Sequence, residues 1–212
     1  MTVQIQKIKP AEIEAESFRI IAAELGPTRH TPEEFAVLRR VIHATGDFSF
    51  ADNLRFSPGA ISAAITAITS GRNILTDVNM VAAGISRPLL SKWGGRVICL
   101  VADPEVAASA KAEGKTRSEV AIERGLLENV GIVAIGNAPT ALLKVMELIA
   151  AGTAPKPDLV VGVPVGFVNA AESKELLAQK KYAHITALGR KGGSPVAAAI
   201  VNALLRLVPT QK

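Results

Sequence analysis

Three histidines, one cysteine and several turns rich in arginine or glycine are the residues whose types and spacing bear on chemistry. His30, His43 and His184 do not pair at metal-ligand spacing, and Cys99 stands alone. A protein-held metal cluster and an intramolecular disulfide are therefore not expected. His30 precedes a helix cap, where exposure is expected. His184 opens an apolar run, where a structural role is expected. His43 shares a helix face with Ala36, Arg39 and Arg40, beside the apolar stripe. It falls in the last turn before Gly46, where the negative end of the helix dipole favours imidazolium. The two arginines one turn back oppose that charge. A polyanionic ligand, or Asp47, would offset them and keep His43 protonated, as a general acid near neutral pH must be. On spacing alone, a surface histidine at a helix C-terminus is the favoured reading.

The basic and glycine-bearing turns offer places to hold an anion. Gly189-Arg-Lys-Gly-Gly-Ser194 precedes Pro195, where a helix is expected to start. Its glycines let backbone N–H groups approach a negative charge, with Lys191, Gly193 and Ser194 as the contacts. A plain glycine-rich turn explains the same residues equally well. Arg87, before Pro88, and Arg117, before Ser118, lie in loops or at helix starts, where a guanidinium can clamp a carboxylate. Arg39, beside His43, is a further candidate. Most loop arginines are simply solvated. Ser17 interrupts an apolar stripe between Ile13 and Ile21, so it either meets a ligand or bonds back to its own helix, the commoner case. Neither the dinucleotide fingerprint nor a P-loop occurs.

The helices and strands that must position these residues follow from pattern. The 212 residues suit one domain spanning 1–212, and 49% hydrophobic content supports a packed core. The net charge of +5 favours anionic partners. With 4% aromatics and no Lys/Arg run, a small polycarboxylate is expected rather than nucleic acid. The N-terminus lacks a signal-peptide core. The longest apolar-looking run, 56–71, is broken by Pro58 and two glycines and is too short to span a bilayer. No membrane association is expected, and the cytoplasm is the default location.

The first third reads helical. Phe18, Ile21, Ala22 and Leu25 recur at helical spacing over 11–25, ending at Gly26. Thr31-Pro32-Glu33-Glu34 starts a second helix with Phe35, Leu38, Ile42 and Thr45 inward, and Gly46 ends it. A third helix follows Pro58 and carries Ile61, Ile65 and Ile68. Apolar runs then recur at 73–76, 96–101, 131–135, 159–163 and 184–188, separated by helical stretches, several opened by Asp77, Asp103-Pro104 or Pro139-Thr140. Such alternation predicts an α/β fold: a mainly parallel sheet of about five strands flanked by helices and preceded by an N-terminal helical segment. Ligands of such sheets gather outside the carboxyl ends of the strands. The turn at 153–157 is a short connector, not a boundary.

Six segments then stand out in order. They are Val41-Ile-His-Ala44, Thr76-Asp-Val-Asn-Met-Val-Ala-Ala-Gly84, Thr116-Arg-Ser118, Ala134-Ile-Gly-Asn-Ala-Pro-Thr-Ala-Leu142, Gly162-Val-Pro-Val-Gly-Phe-Val-Asn-Ala-Ala-Glu-Ser-Lys174 and Gly192-Gly-Ser194. In them the chain resembles the precorrin-8X methylmutase family and its anaerobic, cobalt-precorrin-8 branch, the segments 134–142 and 162–174 being the most specific. The resemblance implies an isomerase of corrin biosynthesis that shifts a methyl group from C-11 to C-12 of a polycarboxylate macrocycle. It maps the family's histidine proton donor onto His43. It maps the substrate-contacting positions onto Ser17, Arg87, Arg117 and Ser194. It also implies a homodimer with sites near the interface. No cofactor is expected, cobalt being carried by the substrate where present. The alternative is a non-catalytic carrier of corrin intermediates.

Overall fold

The computed structural model describes residues 7–209. After a short 3-10 turn at Pro10–Glu12, helices α1 (Ile13–Leu25) and α2 (Pro32–Thr45) form the expected N-terminal pair. Thr31 and Glu34 close a reciprocal capping box at the start of α2, and Gly46 ends it in the left-handed conformation. The inward stripe of α2 is Val37, Leu38, Val41 and Ile42. Phe35 is only half-buried. Thr45 is exposed, and its hydroxyl donates back to the Val41 carbonyl at 2.9 Å instead of facing the core.

The chain continues through α3 (Phe50–Asn53), β1 (Leu54–Phe56), α4 (Ala60–Thr69) and β2 (Asn73–Thr76). Next come α5 (Asn79–Gly84), α6 (Arg87–Ser91), β3 (Val97–Ile98), α7 (Pro104–Glu113) and α8 (Arg117–Gly125). The last part is β4 (Val130–Ile135), α9 (Pro139–Ala151), β5 (Leu159–Gly162), α10 (Ala170–Ala178), β6 (His184–Ala187) and α11 (Ser194–Leu207). The sheet has six strands in the order β1-β6-β5-β4-β2-β3. All neighbours are parallel except β1, which runs antiparallel on the edge with Leu54 opposite Ala187. β1 escapes the sequence pattern because three residues between two helices are too few to show alternation. The fourth expected helix start also differs. Asp103 does cap α7, but α5 begins at Asn79 and Asp77 caps nothing.

Strands β2, β4, β5 and β6 are buried along their length, as both-face coverage of a parallel sheet requires. Alternate side chains feed two cores. Ile74, Ile132, Ala134, Leu159, Val161 and Ile185 pack with α2, α4 and α11. Leu75, Val133, Ile135 and Val160 face Ile122, Leu142 and Leu177 from α8, α9 and α10. β3 is shorter than the 96–101 run because it lies at the open edge, and the chain turns away at Leu100. Among the described residues, no helix is long and apolar enough to cross a membrane.

Candidate active site

The loops that leave β2, β4, β5 and β6 at their carboxyl ends are stitched into one edge. Asp77, fully buried, accepts N–H groups from Gly136 at 3.0 Å, Asn137 at 2.8 Å and Ala138 at 2.7 Å. Burial pushes its carboxyl above the usual range, and the three donors hold that rise back. The clasp fixes the end of β2 to the loop after β4. Gly136 in turn carries the start of α11, since a Cβ there would lie 2.9 Å from the Ser194 Cα. Only glycine permits that approach. The Gly193 N–H donates to the Val163 carbonyl at 2.8 Å, joining the loops after β5 and β6.

His43 lies in the last turn of α2, just before Asp47, which Lys191 ties to this edge. The His43 Nδ1 lies 2.7 Å from the Ser17 hydroxyl on α1, and the ring packs edge-on against Phe18 at 5.4 Å. Ser17 thus neither bonds back to its own helix nor stands free. It holds an imidazole 26 residues away. The arrangement occupies Nδ1 and leaves Nε2 without a partner among the described residues. With Nδ1–H donating to Ser17, imidazolium has Nε2–H to give.

The charges around His43 differ from expectation. Arg40 is taken up by Glu14, with paired bonds of 3.1 and 3.0 Å. Asp47 is not the partner of His43. Its carboxylate meets Lys191 Nζ at 2.6 Å and the Ser49 N–H at 2.9 Å. Those bonds, the Lys191 one foremost, pull its pKa down to about 2. The Asp47–Lys191 pair instead ties the end of α2 to the loop at 188–193. Arg39 lies over the Phe18 ring at 4.2 Å, with its Nε buried and unpartnered. It lines a cavity of about 210 Å³ with Phe18, Arg40 and Arg206, a cationic recess one turn from His43.

Of the candidate residues, the structure joins Ser17 to His43 directly, sets Arg39 one turn back on α2 beside Arg206, and brings Lys191, on the same loop as Gly193 and Ser194, to Asp47 just past the end of that helix. Arg117 is the exposed first residue of α8, followed by half-buried Ser118. The adjacent Thr116 hydroxyl lies 3.4 Å from that of Thr140, where α9 leaves β4, so this pair stands on the rim of the same edge. Arg87 is exposed at the start of α6, beside Asn202, whose Oδ1 accepts the Ser86 N–H at 2.8 Å. That is about 12 Å along α11 from Ser194. No hydrogen bond or ion pair among the described residues joins either arginine to His43. His184 is buried and bonded to the Tyr182 carbonyl, as a structural residue should be. His30 is not exposed. Its side chain is largely buried against Phe56. A larger cavity, about 540 Å³, lies at the other end of α2 between Thr31 and Ile65, but no titratable base lines it other than Glu33 and Glu34. The bonded Ser17–His43 pair makes the end of α2 the candidate site.

Two buried groups have no sequence signal for their roles. Asp77 resembles a helix opener in sequence, and its clasp depends on residues 59 to 61 positions away. Lys174 has the look of an exposed helix lysine, yet it is fully buried.

Ser17→Ala tests the Ser17–His43 pair. Loss of the restraint should lower kcat roughly tenfold to a hundredfold with KM within about twofold, because ring misplacement affects the reacting geometry. Steady-state rates that match the wild type would show that Ser17 does not position His43.

Known proteins share the sequence and fold of this chain. A family model for precorrin-8X methylmutase matches residues 12–207. A cobalt-precorrin-8 methylmutase from Priestia megaterium is 45% identical over 198 residues, covering 93% of this chain and 88% of that protein. A precorrin-8X methylmutase from Pseudomonas aeruginosa is 49% identical over 195 residues, with 89% and 91% covered. The crystal structure of a precorrin-8X methylmutase from Thermus thermophilus superposes with a TM-score of 0.85 at 46% identity, covering 93% of this chain and 96% of that one. The chain belongs to the precorrin-8X methylmutase family.

Proposed function

We propose that the chain is an isomerase of corrin biosynthesis that moves a methyl group from C-11 to C-12 of precorrin-8X or cobalt-precorrin-8, giving hydrogenobyrinate or cobyrinate. The Ser17–His43 pair near the end of α2 carries this reading: a histidine held at Nδ1 has Nε2 free to act, one turn from Arg39 and its cationic recess. Nε2 protonates the ring C nitrogen, which makes the conjugated system more electron-poor and eases migration. Substrate and product are isomers. No electron or group is gained overall, and the proton lent by His43 returns to it. The chemistry calls for alignment of the migrating bond with the π system rather than for a cofactor, and cobalt enters as part of the substrate. Arg39, Arg117, Ser118, Lys191, Gly193 and Ser194 hold the carboxylates, with Arg87 as a more distant contact.

The working form in this reading is a cytoplasmic homodimer with sites near the interface, without nucleic acid or membrane partners. Exposed Ile13 and Ile20 on α1, and Phe167 and Val168 after β5, provide apolar surface for the second copy. Anaerobic incubation with precorrin-8X tests the function. The visible-absorption change of corrin formation should appear with released product. No spectral change with authentic substrate would rule the reading out.

A further inference from the structure

Lys174 is the largest fully buried side chain of the described residues. It sits in α10 with no ion-pair partner among them, and its one hydrogen bond runs from Nζ to the Lys191 carbonyl at 2.6 Å. Burial lowers its pKa to about 8. The unfolded chain holds that proton up to the ordinary lysine value. The folded state is therefore disfavoured by this group below pH 8, and the penalty fades as pH rises toward 10.5. A buried ammonium without a counter-ion is a poor way to stabilise a fold, and an apolar side chain would serve the packing as well.

The bond has a consequence for the peptide it grips. The Lys191–Gly192 peptide is trans, so the Lys191 carbonyl and the Gly192 N–H point in opposite directions. With the carbonyl drawn inward to Lys174, the Gly192 N–H faces away from α10. It donates to no group among the described residues. The loop is held in that state from both sides. Gly193 N–H donates to Val163, Gly166 N–H donates to the Arg190 carbonyl at 3.2 Å, and a Cβ at Gly192 would fall 2.2 Å from the Val163 oxygen. We propose that Lys174 is a positioning residue that sets the Lys191–Gly192 peptide so that the Gly192 N–H receives a substrate carboxylate beside the start of α11. Released from Lys174, the peptide can rotate and present its carbonyl to that carboxylate instead. The inference rests on the methylmutase reading for the identity of the carboxylate.

Lys174→Met and Lys174→Gln test it, the second keeping an N–H donor without the charge. In Lys174→Met, KM and the dissociation constant for hydrogenobyrinate should rise roughly tenfold, the effect of one lost hydrogen bond to a charged group. The kcat should stay within about twofold and the melting temperature should not fall. Lys174→Gln should recover part of the affinity. The Gly192 amide resonance of the ligand-free protein should shift in Lys174→Met, a readout that needs no substrate. An unshifted resonance, or unchanged KM and product affinity, would overturn the inference. So would a joint fall of kcat and melting temperature in both variants, which would make Lys174 structural. Wild-type protein that neither turns over precorrin-8X nor binds hydrogenobyrinate would count against the methylmutase reading, and the resonance would still judge Lys174.

Discussion

His43→Ala is expected to lower turnover of precorrin-8X by ~10²–10⁴-fold, the usual worth of a general acid. Product affinity should stay within a few-fold, because the carboxylates are held by other groups. The fold should be unaffected, since His43 is exposed and gives up only its bond to Ser17 and an edge contact with Phe18. Steady-state rates, a hydrogenobyrinate titration and a melting curve on one preparation separate these effects. Turnover at the wild-type rate would remove His43 from the chemistry. The comparison with Ser17→Ala is informative, because that variant keeps the acid and loses only its restraint. The expected order is wild type, then Ser17→Ala, then His43→Ala.

Asp77→Ala is expected to be the most damaging substitution for stability, at about 3–5 kcal/mol. Each buried N–H left without an acceptor costs roughly 1–3 kcal/mol, and Asp77 serves two of them, with the half-buried Asn137 N–H as a third and smaller loss. Water entering the gap relieves part of the sum. In a chain of this size the loss corresponds to a fall in melting temperature of ~10 °C. Asp77→Asn should cost at least half as much, because the amide turns a donor toward donors that need an acceptor. Calorimetry of both variants measures this directly. A fall under about 2 °C in Asp77→Ala would show that the clasp contributes little. The damage should also reach the site, since the clasp fixes Gly136 and Gly136 carries Ser194.

Where a feature is local in sequence, it was legible. Thr31, Pro32 and Glu34 mark the start of α2 and Gly46 its end, because capping satisfies backbone groups within one turn. Asn73–Thr76 reads as a buried strand and is one. Features that depend on distant partners were not legible. Leu54–Phe56 becomes a strand only because β6 offers an edge. Ser17 looks like a helix serine until α2 crosses it and brings His43 to its hydroxyl. Asp47 looks like a neighbour for His43, but Lys191, 144 residues on, claims it. Lys174 has the composition of a solvent-facing lysine, and only the folding of the β5 and β6 loops over α10 buries it. The family resemblance reached His43 where local pattern favoured a bland surface role. The bonded Ser17 partner is a contact that local pattern does not show.

In the proposed mechanism, Nε2 of His43 protonates the ring C nitrogen. A crystal structure of the protein with bound hydrogenobyrinate tests it in one distance. Nε2 should lie ~2.6–3.2 Å from the ring C nitrogen, or be joined to it through one water, with Nδ1 still on Ser17. A bound product whose ring C nitrogen lies beyond the reach of one bridging water, with His43 turned to solvent, would remove His43 as the proton donor.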